Sequence, residues 1–409
     1  MRAATFYGRL FAALSAAALI PSPLLAAPDG LVAALQPYVN RHELAGAVTL
    51  VASKEKILDL EAIGYADIGA KKTMTTDCLF WIASMSKPIA AVALMMLVEE
   101  GKVTLDDPVQ KYLPRFDPKI MGVTSDDAHV LLEQPHHPIT VRNLLSHTSG
   151  ITFRSSLETP TLDAFPLATR VESYSLEPLM FEPGSDWSYS NAGINTVARI
   201  IEVVSGISYE TFLQKRLFDP LHMNDTTFWP TNIQLNRLAK SYKPNEARTD
   251  LEETPITQLR YPLSDRKNRY ALPAGGLFST ARNLARFCQM LLSGGVYDGK
   301  RYLNPASIRE MARNQVIESA RKNIAELEPS DGYGLGWFTS ASGAFDHRGA
   351  YSTGMRIDPR RGLITIWLVQ HADFPGDGAK SFDTFEDFAN KHFSSVSVAG
   401  LSRALSRAP

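Results

Sequence analysis

A serine hydroxyl becomes a nucleophile when a neighbouring group takes its proton, and a lysine three residues further along a helix lies on the right face to do so. The pattern Ser-x-x-Lys occurs four times in the chain, beginning at Ser53, Ser84, Ser264 and Ser319. Context separates them. Ser53–Lys56 reads as a polar hairpin turn, Ser264–Lys267 lies in a charged loop, and Ser319–Lys322 sits with Arg321 on a solvated face. Only Ser84–Lys87 stands between an apolar run, Leu79–Ala83, and a segment from Pro88 to Val98 in which nearly every residue is apolar. A helix apolar all round is a buried one, and Pro88 suits its first turn. The helix start offers backbone N–H groups and a positive dipole end to an oxyanion, and burial favours loss of the lysine's charge. The alternative is an N-cap serine beside a surface lysine.

Two further patterns could complete such a site. Tyr-x-Asn occurs at Tyr38, Tyr189 and Tyr302; Tyr189-Ser190-Asn191 follows the turn Phe181-Glu182-Pro183-Gly184 and precedes a helix. A phenol beside a lysine cation ionises more easily and can then serve as a general base, or the tyrosine is simply structural. His347-Arg348-Gly349 lies in a β-rich region near the C-terminus. A strand edge there can supply a second N–H to an oxyanion, with Gly349 permitting close approach; a structural strand histidine is the alternative. Trp187 either walls an acyl pocket or packs.

The elements that must position these residues follow from periodicity and turn residues. Gly46–Ala52 and Ile57–Tyr65 form a hairpin through Ser53–Lys56. Thr140–Leu145 is a short helix, Ile194–Val204 an amphipathic one ending at Ser205–Gly206, and Ser208–Leu217 another, ending before Pro220. Ser279 reads as the N-cap of a helix over Thr280–Leu292. Strands are expected at Tyr333–Phe338, Ala344–His347, Tyr351–Asp358 and Leu363–Val369, and a closing helix at Phe382–Phe393. Phe153–Ser185 reads as one long loop over a cleft, and residues 230–272 are irregular. Strands at both ends with helices between them imply an α+β fold: one antiparallel sheet built from both chain ends, flanked by helices, with a mostly helical inserted subdomain. The expected organisation is a single domain over 28–395, with an α/β part at about 28–80 and 273–395 and a helical part at about 81–272.

Composition narrows the function. Of 409 residues 44% are apolar and 21% charged, which excludes a disordered, collagen-like or disulfide-scaffold chain. The 42 Lys and Arg nearly balance the 43 Asp and Glu, so no strong field favours nucleic acid or an acidic membrane surface. Met1–Ala27 carries Arg2 and Arg9, the apolar run Leu10–Ile20 and small residues before Pro28, the parts of a secretory signal peptide cleaved after Ala26 or Ala27. The run is too short to span a bilayer. The expected destination is the periplasm or the exterior, with 396–409 a small-residue tail. Cys78 and Cys288 read as buried free thiols. Pro135-His136-His137-Pro138, near His129 and Asp126–Asp127, does not read as a metal site, because adjacent histidines point apart in an extended chain. Arg260, Arg266, Lys267 and Arg269 read as a solvated basic loop.

Taken in order, Ser84-Met85-Ser86-Lys87, Tyr189-Ser190-Asn191 and His347-Arg348-Gly349 resemble the serine β-lactamase and penicillin-recognising enzyme superfamily. The branch most resembled holds class C β-lactamases, DD-peptidases and family VIII carboxylesterases. Leu144-Leu145-Ser146-His147-Thr148-Ser149-Gly150, Pro273-Ala274-Gly275-Gly276-Leu277 and Tyr333-Gly334-Leu335-Gly336-Trp337 add to the likeness, which runs from about Leu31 to Phe393. The resemblance implies Ser84 as the acylated nucleophile, with Lys87 and Tyr189 sharing the proton transfers. It implies an oxyanion hole from the N–H groups of Ser84 and Ala350 beside Gly349. Asn191 would bond the substrate's acyl side or Lys87, and His347 would line the opposite wall. No metal or cofactor is implied. One departure bears on specificity. Many β-lactamases carry lysine at the position of His347, and a neutral imidazole attracts a substrate carboxylate less. Arg348 adds a cation that strand alternation aims at the other face. The resulting expectation is an exported serine hydrolase for small or short-acyl esters. The alternatives are a β-lactamase or D-amino-acid amidase, and a binding or sensory protein that acylates without turnover.

Overall fold

The run Gly46-Ala47-Val48-Thr49-Leu50-Val51-Ala52 is apolar on both of its faces apart from Thr49, and such a strand needs cover on both sides. The computed structural model describes residues 30–116, 120–125, 130–324 and 331–393. In it this run is β1 (Gly46–Ala52), buried throughout. It lies inside an eight-stranded sheet ordered β4 (Gly332–Tyr333), β5 (Phe338–Thr339), β6 (Phe345–Arg348), β7 (Gly354–Asp358), β8 (Leu363–Leu368), β1, β2 (Ile57–Asp67), β3 (Lys72–Thr73). Every neighbouring pair is antiparallel. The two chain ends join where β1 meets β8, with Leu50 opposite Ile366 and Val51 opposite Thr365.

Period-two alternation sends the residues of this joint to two cores. Val48, Leu50 and Ala52 with Ile364, Ile366 and Leu368 face the larger one, together with Phe287 and Leu291 of a covering helix. Ala47, Val51, Leu363, Trp367 and Val369 face the smaller one, where Leu31, Leu35 and Val39 of α1 (Leu31–Asn40) meet Phe385 and Ala389 of the closing helix. Each fully buried aliphatic side chain stabilises the fold by about 1.5–3 kcal/mol.

The middle of the chain is mainly helical and stacks on the larger core. In α2 (Ser86–Glu99) the residues Ser86 to Leu97 are all buried. It packs against α5 (Asn191–Ser205), which in turn packs against α3 (Val141–Ser146) and α4 (Leu167–Tyr174), while α6 (Ala281–Leu292) and α7 (Lys380–Phe393) cover the sheet. Thr140 and Asn143 form a capping box on α3, and Gly206 ends α5 at φ +73°. Several details differ from the sequence expectation. Residues 153–185 are not one loop: α4 buries Leu167, Val171 and Tyr174 along one face, and Arg170 with them. The cap of α6 is Thr280, since Ser279 is held in a short strand opposite Phe80. Tyr333–Phe338 is split into β4 and β5 by Gly336, at φ +77°, where a Cβ would lie 2.8 Å from Ala91 Cβ in α2. Cys78 and Cys288 are both free and buried.

The irregular segments are tied down by buried charge. Arg269, 2% exposed, donates from Nε to Asp163 Oδ2 at 2.7 Å and from Nη1 to the Phe228 carbonyl at 3.1 Å. Asp163 also accepts the Arg260 N–H at 2.9 Å. Arg269 therefore leaves the solvated basic loop and staples the 260–272 segment to the 153–185 segment. The leader expected over 1–27, the tail from 396, and His129 with Asp126 and Asp127 lie outside the described residues. No helix among the described residues is long and apolar enough to cross a membrane.

Removing one partner of a buried ion pair strands the other charge. Asp163→Ala is expected to lower unfolding free energy by about 3–5 kcal/mol, seen as a lower urea midpoint at unchanged slope. Asp163→Asn, which keeps hydrogen-bond acceptance, should lose less.

Candidate active site

Ser84 sits where an extended segment turns abruptly into a helix. The side chain of Gln370 accepts the Trp81 N–H at 2.8 Å and donates to the Trp81 carbonyl at 3.2 Å, and Ile82 N–H donates to the Leu277 carbonyl at 3.0 Å. Ala83 then adopts φ +45°, a conformation L-residues visit only when surroundings impose it. Ser86 imposes it from below, donating to the Ala83 carbonyl at 2.7 Å and accepting the Leu277 N–H at 3.3 Å. The turn Ala83–Met85 runs directly into α2. Ser84 itself is half-buried at its tip.

Lys87, one helical turn on, is fully buried and its amine touches three oxygens. Nζ lies 3.1 Å from Ser84 Oγ, 2.7 Å from Asn191 Oδ1 and 2.8 Å from the Ala274 carbonyl. No carboxylate pairs with it among the described residues. Burial alone drives its pKa well below the usual lysine value. A neutral amine has two N–H donors and one lone pair. Asn191 Oδ1 and the Ala274 carbonyl can only accept, so they take both donors and leave the lone pair aimed at the Ser84 hydroxyl.

Tyr189 closes the cluster. Its ring centroid is 4.5 Å from Lys87 Nζ, and its hydroxyl interacts with the Ser84 side chain. A phenol eased toward phenolate by a lysine cation is the expectation from residue type. The structure differs: burial raises the Tyr189 pKa, opposed only by the hydrogen bond with Ser84, because the neutral Lys87 supplies no cation. The resting phenol is protonated. Its position is set by the start of α5. Ser190 Oγ accepts the Gly193 N–H at 3.0 Å and donates to the Thr152 carbonyl at 2.8 Å, while Ser190 N–H donates to His147 Nδ1 at 3.2 Å. Phe153, 44% exposed, stacks on the outer side of Tyr189 at 6.4 Å.

Strand β6 brings the third motif. A Cβ on Gly349 would lie 2.6 Å from the Ile82 carbonyl and 3.3 Å from Ala83 Cβ, so only glycine lets the strand end lie against the Ser84 turn. Among the described residues the N–H groups of Ser84 and Ala350 have no hydrogen-bond partner. His347 has its ring centroid 6.2 Å from that of Tyr189 but is 1% exposed, with both ring nitrogens engaged inside the protein. Burial lowers its pKa to about 3, so it is neutral. Arg348 points to the opposite face, over the Phe382 ring at 5.1 Å. Trp187 is buried against His147 and Tyr333 and packs rather than opening to the cleft.

The structure thus gathers Ser84, Lys87, Tyr189 and Asn191 and sets Gly349 against them. Ala274, His147 and Tyr333 join this neighbourhood without having been given roles from sequence. All three stand in motifs that carry the family likeness, which is the signal that was available. Among the described residues no group of three or more His, Cys, Asp or Glu could hold a metal ion. His136 and His137 instead donate their N–H groups to Glu182.

Comparisons with known proteins identify the family and the fold. The chain is 31% identical to Protein Rv1367c of Mycobacterium tuberculosis, over 84% of this chain and 90% of that one. It is 27% identical to Esterase EstB of Burkholderia gladioli, over 88% and 95%. Its fold superposes on EstCE1, "a hydrolase with promiscuous acyltransferase activity", with TM-score 0.72 at 23% identity, covering 88% of this chain and 97% of that one. Residues 31–384 match the Beta-lactamase family model, and the chain belongs to that family.

Proposed function

We propose that the protein is an exported serine hydrolase that cleaves small or short-acyl carboxylic esters through an acyl-serine. The observation that carries this reading is the Lys87 amine 3.1 Å from Ser84 Oγ, with both N–H donors engaged elsewhere. Ser84 Oγ attacks the ester carbonyl carbon while its proton passes to Lys87 Nζ. The oxyanion is met by the N–H groups of Ser84 and Ala350, each such donor being worth about 3–4 kcal/mol. On collapse the bond from the carbonyl carbon to the alkoxy oxygen breaks; Tyr189 Oη protonates the leaving oxygen and recovers a proton from Lys87. Water then attacks the acyl-serine, giving its proton to the same relay, and the acid leaves as Ser84 Oγ is reprotonated. Asn191 holds Lys87 through Oδ1, leaving its amide nitrogen for the acyl side of the substrate.

The neutral His347 supports esters over β-lactams and D-amino-acid amides, because an uncharged imidazole attracts a substrate carboxylate less than a lysine in its place would. The relative named Esterase EstB, covered along 95% of its length, supports the same reading. Export is supported by the basic, apolar and small-residue succession over Met1–Ala27. A mature N-terminus at Ala27 or Pro28 in the periplasm or medium is the expected result; full-length chain retained in the cytoplasm would overturn it.

Intact-mass spectrometry with a fluorophosphonate, alongside p-nitrophenyl butyrate and penicillin, tests the chemistry. Wild type should label once and turn over the ester, and Ser84→Ala should lose both while keeping its circular-dichroism spectrum. A permanent penicilloyl adduct without ester turnover would instead establish the binding alternative. Lys87→Ala and Tyr189→Phe should each slow acylation by about 10²–10⁴-fold. Because the active Lys87 is neutral and its pKa is depressed, kcat/KM should fall as pH drops through that pKa. No limb should be seen near the ordinary lysine value of about 10.4. An acylation rate that keeps rising to pH 10 would remove Lys87 as the proton acceptor.

A further inference from the structure

Behind Tyr189 runs a buried chain of hydrogen bonds that the ester chemistry does not use. His147 closes α3 in a left-handed conformation, φ +62°. Its Nδ1 accepts the Ser190 N–H at 3.2 Å, and its Nε2 lies 3.1 Å from Tyr333 Oη. Tyr333 Oη lies 3.3 Å from His347 Nε2, and His347 Nδ1 lies 2.8 Å from the Arg348 carbonyl. His147, Tyr333 and His347 are all 1% exposed or less.

The proton order in this chain has one solution. A backbone N–H can only donate, so His147 Nδ1 is the acceptor and the His147 proton is on Nε2. That N–H donates to Tyr333 Oη, whose own proton is then directed to His347 Nε2. A carbonyl can only accept, so the remaining imidazole proton sits on His347 Nδ1. Protonating His147 would set its Nδ1–H against the Ser190 N–H, and protonating His347 would make the Tyr333 hydroxyl accept from both rings and turn its own proton away. From this directionality, and resting on the esterase reading above, we infer that the Tyr333 hydroxyl is a specificity-determining positioning group: it fixes His347 as an uncharged acceptor turned away from the cleft, and so selects for substrates with no free carboxylate beside the scissile bond.

The surroundings reinforce the lock. Each imidazole is desolvated, and burial lowers both pKa values. The other groups packed round His347 are Tyr189, raised by burial and protonated, and Phe338 of β5, which does not titrate. Asp346 and Arg348, its chain neighbours, take the opposite face of β6, where Asp346 meets Arg356 at 4.0 Å. In Tyr333→Phe the shape remains, but His347 Nε2 loses its donor and becomes free to bind a proton.

Two matched acetate esters read this out: 4-acetoxybenzoate, whose leaving group carries a carboxylate, and 4-acetoxybenzamide, its uncharged counterpart. In wild type the ratio of their kcat/KM values should change less than about twofold between pH 8 and pH 5, because no unit of imidazole titration falls in that range. In Tyr333→Phe the ratio should rise about tenfold at pH 5, the worth of one pKa unit of added charge. His347→Lys should raise it at both pH values. A ratio in Tyr333→Phe that stays flat, or a loss shared equally by both esters, would overturn the inference and leave Tyr333 a packing residue. Nitrogen-15 NMR of the wild-type imidazoles at pH 5 decides independently of any variant's folding. The Nε2–H form of His147 and the Nδ1–H form of His347 are expected, and a doubly protonated ring or the opposite form on either would refute the chain. If wild type hydrolyses neither ester, the esterase reading fails while the NMR result still judges the hydrogen-bond order.

Discussion

An amine sealed in the interior with no carboxylate to pair with is the constraint around which this protein is arranged. A lone buried ammonium is so costly that the group gives up its proton instead, and Lys87 follows that rule. A neutral amine, however, rotates freely unless its donors are fixed. The two oxygens that fix it come from Asn191 and Ala274, far apart in the chain and brought within 2.8 Å of one nitrogen. Everything that holds those two oxygens still is therefore part of the site. The Ser190 cap orients the first turn of α5. Asn195 of the same helix, through Oδ1, accepts the Ala274 N–H at 3.2 Å and couples the second segment to the first.

The sheet contributes by close approach rather than by side chains. Gly336 lets the β4–β5 turn rest on α2 beside the Lys87 carbonyl, and Gly349 lets the end of β6 rest on the Ile82–Ala83 turn. Both contacts would be blocked by a methyl group. They make the start of α2 a junction pressed from two sides, which is how a strained φ at Ala83 persists. The joint of β1 with β8 supplies the rigidity behind them, since it is packed on both faces and its register cannot slip without turning each core residue outward.

Ser84, Lys87, Tyr189 and Asn191 could be read from sequence because their surroundings are unusual along the chain itself: an apolar run, a buried helix, a turn before a cap. The antiparallel sheet and its two-ended origin were legible for the same reason, through alternation. What escaped depended on partners brought close only by folding. Arg269 belongs to a basic run that looks solvated until Asp163, 106 positions earlier, meets it in the interior. Helix α4 hides its face because Arg170 and Ser173 are buried polar residues. Helix α1 carries Pro37 inside it, a residue that argues against helix by type. His347 could be recognised as a neutral group in place of a cation, but not why it stays neutral. The reason is burial, made by partners that only folding brings close: Tyr333, and beyond it His147, 200 positions away and joined to it by two hydrogen bonds through one hydroxyl.

The same features give the resting site an unusual balance: amine, phenol and both imidazoles are uncharged together. Under the proposed chemistry, charge then appears only as the reaction proceeds. Taking the Ser84 proton makes Lys87 cationic at the moment when the carbonyl oxygen becomes anionic. Opposite unit charges about 4 Å apart attract by about 4 kcal/mol at an effective dielectric of about 20. That attraction is absent from the ground state, so it lowers the barrier instead of merely tightening binding. The three oxygens already ringing Nζ are the acceptors an ammonium needs, so the new charge finds its hydrogen bonds without reorganisation. A permanent cation at His347 would repel the nascent ammonium and raise its cost. Under that chemistry, neutrality on that wall serves the proton transfer by adding no charge against the nascent ammonium.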